Sequence, residues 1–103
     1  MKTLLTLFVI FFSFSVFGGT IIGGVALDCA SLQKTYDNND KVLLNQYRQA
    51  VLGYISGLNV AKNTDAGWDV NEDTIMQVAV NYCKNNPLKK VADGAHYAYD
   101  QLL

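Results

Sequence analysis

An apolar leader constrains this chain most, because it leaves few residues from which a globular domain can form. Met1–Lys2 supplies a positive start, and Leu4–Phe17 continues as an apolar run broken only by small or hydroxylated residues. Lys2 is the only charged side chain before Asp28. This layout is typical of a secretory signal peptide. It predicts one folded domain of about 76–85 residues and excludes a large enzyme fold.

The small-residue rule for leader cleavage fits at two positions. One follows Val16-Phe17-Gly18 and the other follows Gly24-Val25-Ala26. The second is favoured because Gly19–Ala26 offers almost no polar side chains to solvate. We therefore predict a signal peptide over 1–26, cleaved near 18–26, and a single helical domain over 27–103 that has no membrane contact after cleavage. An uncleaved anchor is the alternative, since Leu4–Val25 exceeds the roughly 20 residues that cross a bilayer.

The two cysteines, Cys29 and Cys83, lie near the start and in the last third of the predicted domain. In a small exported domain an even pair most often forms a structural disulfide. A bridge closing about 55 residues should contribute on the order of 4 kcal/mol, which is comparable to the net stability of many small domains. A redox or metal site is the alternative, but there is no C-x-x-C motif and His96 is the only imidazole.

Apolar periodicity predicts an all-α fold, a small bundle of three main helices plus a short N-terminal helix. Asp28 caps the short helix, which runs from Cys29 to about Tyr36. Apolar residues at spacings of three and four from residue 43 to residue 58 predict the longest helix over 41–62. Asp69 or Asn71 caps the next helix.

The last helix is predicted to open at Pro87, because proline suits the first helical position when Asn86 precedes it as a cap. Leu88 then belongs to its apolar face. Gly94 lies inside this helix and weakens it by roughly 1 kcal/mol relative to alanine.

Residues that could carry catalysis are few, and we predict no enzyme, no cofactor and no metal site. Gly53-Tyr54-Ile55-Ser56-Gly57 is not the G-x-S-x-G nucleophile motif, and it lies inside a predicted helix. His96 is predicted to be a partly exposed surface histidine, with a pH sensor as the alternative. Lys84, Lys89 and Lys90 form the only basic cluster, so nucleic-acid binding is not expected.

Several residues are instead candidates for packing or for contact with a protein partner. Gly53 and Gly57, four residues apart, predict a smooth patch that another helix approaches closely. Tyr97 and Tyr99 cannot both face the core of one helix, so one is displayed, and tyrosine is favoured at interfaces. Trp68 lies in a predicted loop, where a tryptophan folds back onto the core or contacts a partner. The candidate contact residues are therefore Tyr97, Tyr99 and Trp68.

Three features together resemble the HdeA/HdeB-like family of small periplasmic proteins. They are the early Cys29, the helix with Gly53-Tyr54-Ile55-Ser56-Gly57, and the run Tyr82-Cys83-Lys84-Asn85-Asn86-Pro87-Leu88. The resemblance covers about Asp28 to Leu103. It implies a helical bundle whose disulfide joins Cys29 to Cys83, in the periplasm of a Gram-negative bacterium.

The best-known members of that family are acid-stress chaperones, so the resemblance implies a holdase for unfolded clients. Those members are dimers near neutral pH, which makes a homodimer a further expectation. In acid they dissociate and expose apolar surface. The lysine-rich tail of the chaperone members is missing, since this chain ends Tyr99-Asp100-Gln101-Leu102-Leu103.

Two other functions without catalysis fit the same residues. An immunity protein would neutralise a secreted toxin by occupying its active-site cleft, and small exported helical proteins with a disulfide serve that role. The Rap/Tai-type immunity proteins are broadly similar, although they carry further cysteines that are absent here. A small subunit of an envelope complex is the third interpretation. All three need a protein partner.

Overall fold

The computed structural model describes residues 23–103, and the regular secondary structure within that range is helical. The elements are a 3-10 turn Gly23–Ala26, α1 Cys29–Asp37, α2 Lys41–Lys62, α3 Glu72–Asn85 and α4 Val91–Gln101. The predicted all-α class is confirmed. Most of the predicted signal peptide lies outside the described residues. Within them, no helix combines the length and apolar character that a membrane crossing requires.

Side-chain caps set the starts of the first three helices. Asp28 accepts a hydrogen bond from the Ser31 N–H at 2.8 Å and so begins α1, as predicted. Asp40 accepts from the Leu43 N–H at 3.1 Å at the start of α2. Asn71, one of the two predicted caps, begins α3. The predicted bounds of α2, residues 41–62, are confirmed at both ends. They could be predicted because caps and apolar spacing act between residues close together in the chain.

The start of α4 differs from the prediction, because the helix begins at Val91 and not at Pro87. A short antiparallel pairing holds this segment extended. The Cys29 N–H donates to the Lys89 carbonyl at 2.8 Å, and the Val91 N–H donates to the Leu27 carbonyl at 2.9 Å. Leu88 therefore lies in a turn with 97% of its surface exposed, and its predicted place on the helix face is wrong.

The Cys29–Cys83 disulfide lies at the centre of the core and joins α1 to α3. Both residues are fully buried, and their Cα atoms are 4.7 Å apart. Leu32, Val51 and Val91 are fully buried in the same core, so α1, α2 and α4 all contribute to it. The predicted disulfide is confirmed.

Gly53 and Gly57 do not form a contact between helices. Both lie on the exposed side of α2, and a Cβ added at either would meet no atom within 4 Å. The predicted close packing is wrong because the other elements cover the opposite side of α2, at Val51 and Ile55. The close approach occurs at Gly94, where α4 packs against α3.

Candidate protein-contact site

Tyr97 and Tyr99 point to opposite sides of α4, as their spacing of two residues predicts, and Tyr97 is the exposed one. Residues two apart on a helix differ by about 200° around its axis. Tyr97 keeps 41% of its surface exposed, whereas Tyr99 keeps 2%. The Tyr99 hydroxyl lies 2.7 Å from the Thr64 hydroxyl, which donates to the Asn59 side-chain oxygen at 2.8 Å. Tyr99 therefore fastens the loop after α2 to the core, and its prediction as a contact residue is wrong.

Tyr97 is supported by a second tyrosine from the neighbouring helix. Its ring lies 5.2 Å from the ring of Tyr82 on α3, with 30° between the two planes. Such pairs of aromatic rings contribute about 0.5–1.5 kcal/mol beyond the burial of their area. Tyr82 is half-buried, because it lies at the edge of α3 beside the buried Cys83. The stacking limits the orientations that Tyr97 can take.

His96 continues this surface towards α2. Its Nδ1 lies 3.4 Å from the Tyr54 hydroxyl, and its Nε2 lies 3.7 Å from an Asp100 carboxylate oxygen. About 42% of the His96 side chain is exposed, which fits the predicted surface histidine. The contact joins α2 to α4 and places a titratable imidazole beside Tyr97.

Two pairs of neighbouring rings, Tyr54 with His96 and Tyr97 with Tyr82, meet at adjacent positions of α4. We call these four side chains the aromatic row. The row crosses three helices, since Tyr54 belongs to α2, the next two to α4 and Tyr82 to α3. All four side chains are at least partly exposed. Rings of this kind offer large contact area at low entropy cost, so the arrangement suits binding to another protein. The sequence named Tyr97, Tyr99 and Trp68 as candidate contacts, and of these only Tyr97 belongs to the row. The other three members were missed as contact residues because their positions depend on how the helices pack.

Trp68 lies on the loop between α2 and α3 with 81% of its surface exposed. The loop itself is anchored, since the Gly67 N–H donates to the Leu102 carbonyl at 3.3 Å and the Trp68 N–H donates to the Asp65 carbonyl at 3.2 Å. Because Trp68 is exposed, the alternative in which its indole folds back onto the core is wrong. Its role as a partner contact stays a prediction.

Away from the row, an ion pair and a cavity mark the packing of α2 on α3. Arg48 Nη2 lies 2.6 Å from Asp73 Oδ1. Beside it is a cavity of about 210 Å³, with Leu44, Met76 and Val80 in its walls.

Among residues 23–103 no three His, Cys, Asp or Glu side chains come together in a way that could hold a metal ion.

Two pKa shifts occur near the start of the fold. Hydrogen bonding to Ser31 lowers the pKa of the Asp28 carboxyl. Burial raises the pKa of the Tyr47 phenol, and the charge of Asp28 acts in the same direction. Both groups lie where α1 and the preceding turn meet α2.

Comparison with known proteins finds no family model, curated protein or solved structure that matches this chain. What the described residues define is a class: a small all-α domain with one internal disulfide and a partly exposed row of aromatic side chains.

Proposed function

We propose that this chain is a small periplasmic protein of the HdeA/HdeB-like type that binds other proteins and, in acid, holds unfolded clients. The observation that carries the proposal is the aromatic row, because it brings partly exposed rings from three helices together in two adjacent pairs. Tyrosine is enriched where proteins contact one another. Three further apolar side chains, Leu88, Val60 and Trp68, are each more than 80% exposed.

The proposed response to acid comes from the change in the net side-chain charge of the domain. From Leu27 onward the chain carries nine acidic and seven basic side chains, so its side-chain charge is −2 with His96 neutral. Protonation of all nine carboxylates and His96 changes that charge to +8, and self-repulsion then loosens a small domain. The Arg48–Asp73 ion pair between α2 and α3 is lost under the same conditions. The buried disulfide keeps α1 and α3 joined, so the chain opens without separating.

The test is suppression of client aggregation by the purified mature protein. We expect suppression at about pH 2–3 and none at pH 7. Tyr97→Ser should reduce it, because the variant removes the exposed centre of the aromatic row. Tyr36→Ser is the matched control, since Tyr36 lies on α1 with 43% of its surface exposed, close to the 41% of Tyr97. Equal aggregation with and without the protein at both pH values would contradict the proposal.

Toxin neutralisation is the second candidate, and the stacking of Tyr97 on Tyr82 favours it. A ring held in one orientation suits a single complementary cleft better than it suits varied unfolded clients. This function predicts a tight complex at pH 7 with a secreted hydrolase encoded beside this chain. Calorimetry should then show at least about tenfold weaker binding for Tyr97→Ser and unchanged binding for Tyr36→Ser.

The homodimer implied by the resemblance can be measured separately. Sedimentation of the purified protein at pH 7 should show a dimer, and sedimentation at about pH 3 should show a monomer. A monomer at both values would remove dimer dissociation from the proposed acid response.

A further inference from the structure

The 3-10 turn Gly23–Ala26, which the sequence assigned to the leader, packs as part of the folded domain. Val25 is 7% exposed and belongs to the main hydrophobic core. Gly24 lies so close to α2 that an added Cβ would stand 3.1 Å from the Cβ of Ala50 and 3.8 Å from the ring of Tyr47. The turn therefore covers a part of α2 that would otherwise meet water.

The backbone on either side of residue 26 is also fixed. The Leu27 N–H donates to the Gly24 carbonyl at 3.3 Å, and the Leu27 carbonyl accepts from the Val91 N–H at 2.9 Å. The next residue, Asp28, caps α1. Cleavage after Ala26 would remove Val25 from the core, uncover Tyr47 and Ala50, and convert the Leu27 amide into a charged ammonium.

We infer that the leader is cleaved after Gly18, so that the mature chain begins at Gly19 and keeps the turn. In this step water hydrolyses the Gly18–Gly19 peptide bond, leaving a carboxylate on Gly18 and an ammonium on Gly19. Val16 and Gly18 supply the small residues that a leader peptidase needs at the third and first positions before the cut. A site upstream of Gly23 retains every residue that the described core uses.

The inference rests on the proposed function, because that function requires export. The peptidase acts on the extended chain before folding, so the fold does not shield Ala26 from it. Residues 23–26 are instead expected in the mature chain because they stabilise its fold, whereas leader residues are discarded.

Intact mass and N-terminal sequencing of the exported protein test the inference. The full chain is expressed in a Gram-negative host, and the protein is purified from the periplasmic fraction. We expect Gly19 as the first residue, eight residues before the alternative start at Leu27. A periplasmic protein that begins at Leu27, or at any other residue, overturns the inference and leaves export intact. An unprocessed chain confined to the cytoplasm overturns both the inference and the proposed function.

Two substitutions distinguish the sites during processing. Gly18→Leu places a bulky residue directly before the inferred cut, so unprocessed chain should accumulate. Ala26→Leu makes the same change at the other site and should leave the processed mass unaltered except for the substitution itself. The reverse pattern overturns the inference.

Stability gives an independent measurement. Val25→Ala in the exported protein should lower the melting temperature by at least about 4 °C, because it removes two buried carbons. If the mature chain began at Leu27, residue 25 would be absent and the melting temperature would not change.

Discussion

Gly94 of α4 lies so close to Ala79 of α3 that a Cβ placed on Gly94 would stand 3.2 Å from the Ala79 carbonyl oxygen. The same Cβ would lie 3.4 Å from the Cys83 sulfur and 3.4 Å from the Tyr82 ring. A backbone oxygen and a disulfide sulfur cannot easily move aside. This contact accounts for a glycine in the interior of a helix, where it costs about 1 kcal/mol relative to alanine.

Gly94→Ala should therefore destabilise the domain, even though alanine favours the helix. Overpacking costs about 1–3 kcal/mol, and the gain in helix propensity returns about 1 kcal/mol, so we expect a net loss of about 1 kcal/mol. Gly53→Ala is the matched control, because its Cβ meets only open space on α2. That variant should gain roughly 0.5–1 kcal/mol. Urea unfolding measures both, and a stabilised Gly94→Ala would contradict the packing argument.

Removing the disulfide should cost more than any single exposed contact. Cys83→Ser opens a crosslink between residues separated by 54 positions and leaves a hydroxyl in a fully buried site. We expect the free energy of unfolding to fall by about 2–5 kcal/mol. Lys84→Ser changes the exposed neighbour and should have little effect. An unchanged melting temperature for Cys83→Ser would show that the bridge does not stabilise the fold.

Asp28 should make stability depend on pH on the acid side. Its pKa is lowered by hydrogen bonding to Ser31, so its contribution is fully present above the ordinary carboxyl pKa. That contribution is lost as the pH falls through the lowered folded-state pKa. Asp28→Asn keeps a good cap without a charge. The difference in melting temperature between the wild type and this variant should shrink as the pH is lowered from 6 to 2. A difference that stays constant over that range would contradict the assignment.

Tyr47 should produce the opposite dependence at high pH. Burial and the Asp28 charge raise the pKa of its phenol above the usual value of 10.0, so the folded state favours the protonated form. Its contribution is fully present below pH 10 and is lost as the pH rises through the raised folded-state pKa. Tyr47→Phe cannot ionise, so its melting temperature should fall less above pH 10 than that of the wild type. Parallel curves would contradict the assignment.

Most of the correct sequence predictions rested on residues that lie close together in the chain. Asp28 and Asn71 each cap a helix through a nearby backbone N–H, and the apolar spacing of α2 settles its length. The disulfide followed from an even pair of cysteines in a small domain, because few other arrangements were open to Cys29 and Cys83.

The errors arose where a distant partner decides the outcome. Pro87 has the local preference of a helix start, but the pairing of Leu27 and Cys29 with Lys89 and Val91 keeps the chain extended beyond it. The choice between Tyr97 and Tyr99 depends on which side of α4 meets the core. Likewise, Gly53 and Gly57 could not be told from Gly94 by spacing, because close packing belongs to the facing helix.

The pairing beside the disulfide also bears on how the fold is completed. The Cys29 N–H donates to the Lys89 carbonyl and the Val91 N–H donates to the Leu27 carbonyl, so the segment around the start of α1 is held by residues far along the chain. The disulfide joins the same segment to α3, and it too links residues that are distant in sequence. α1 therefore reaches its final position only after the chain as far as α4 has been made. Contacts between residues so far apart in sequence form late and slow the folding of a small domain.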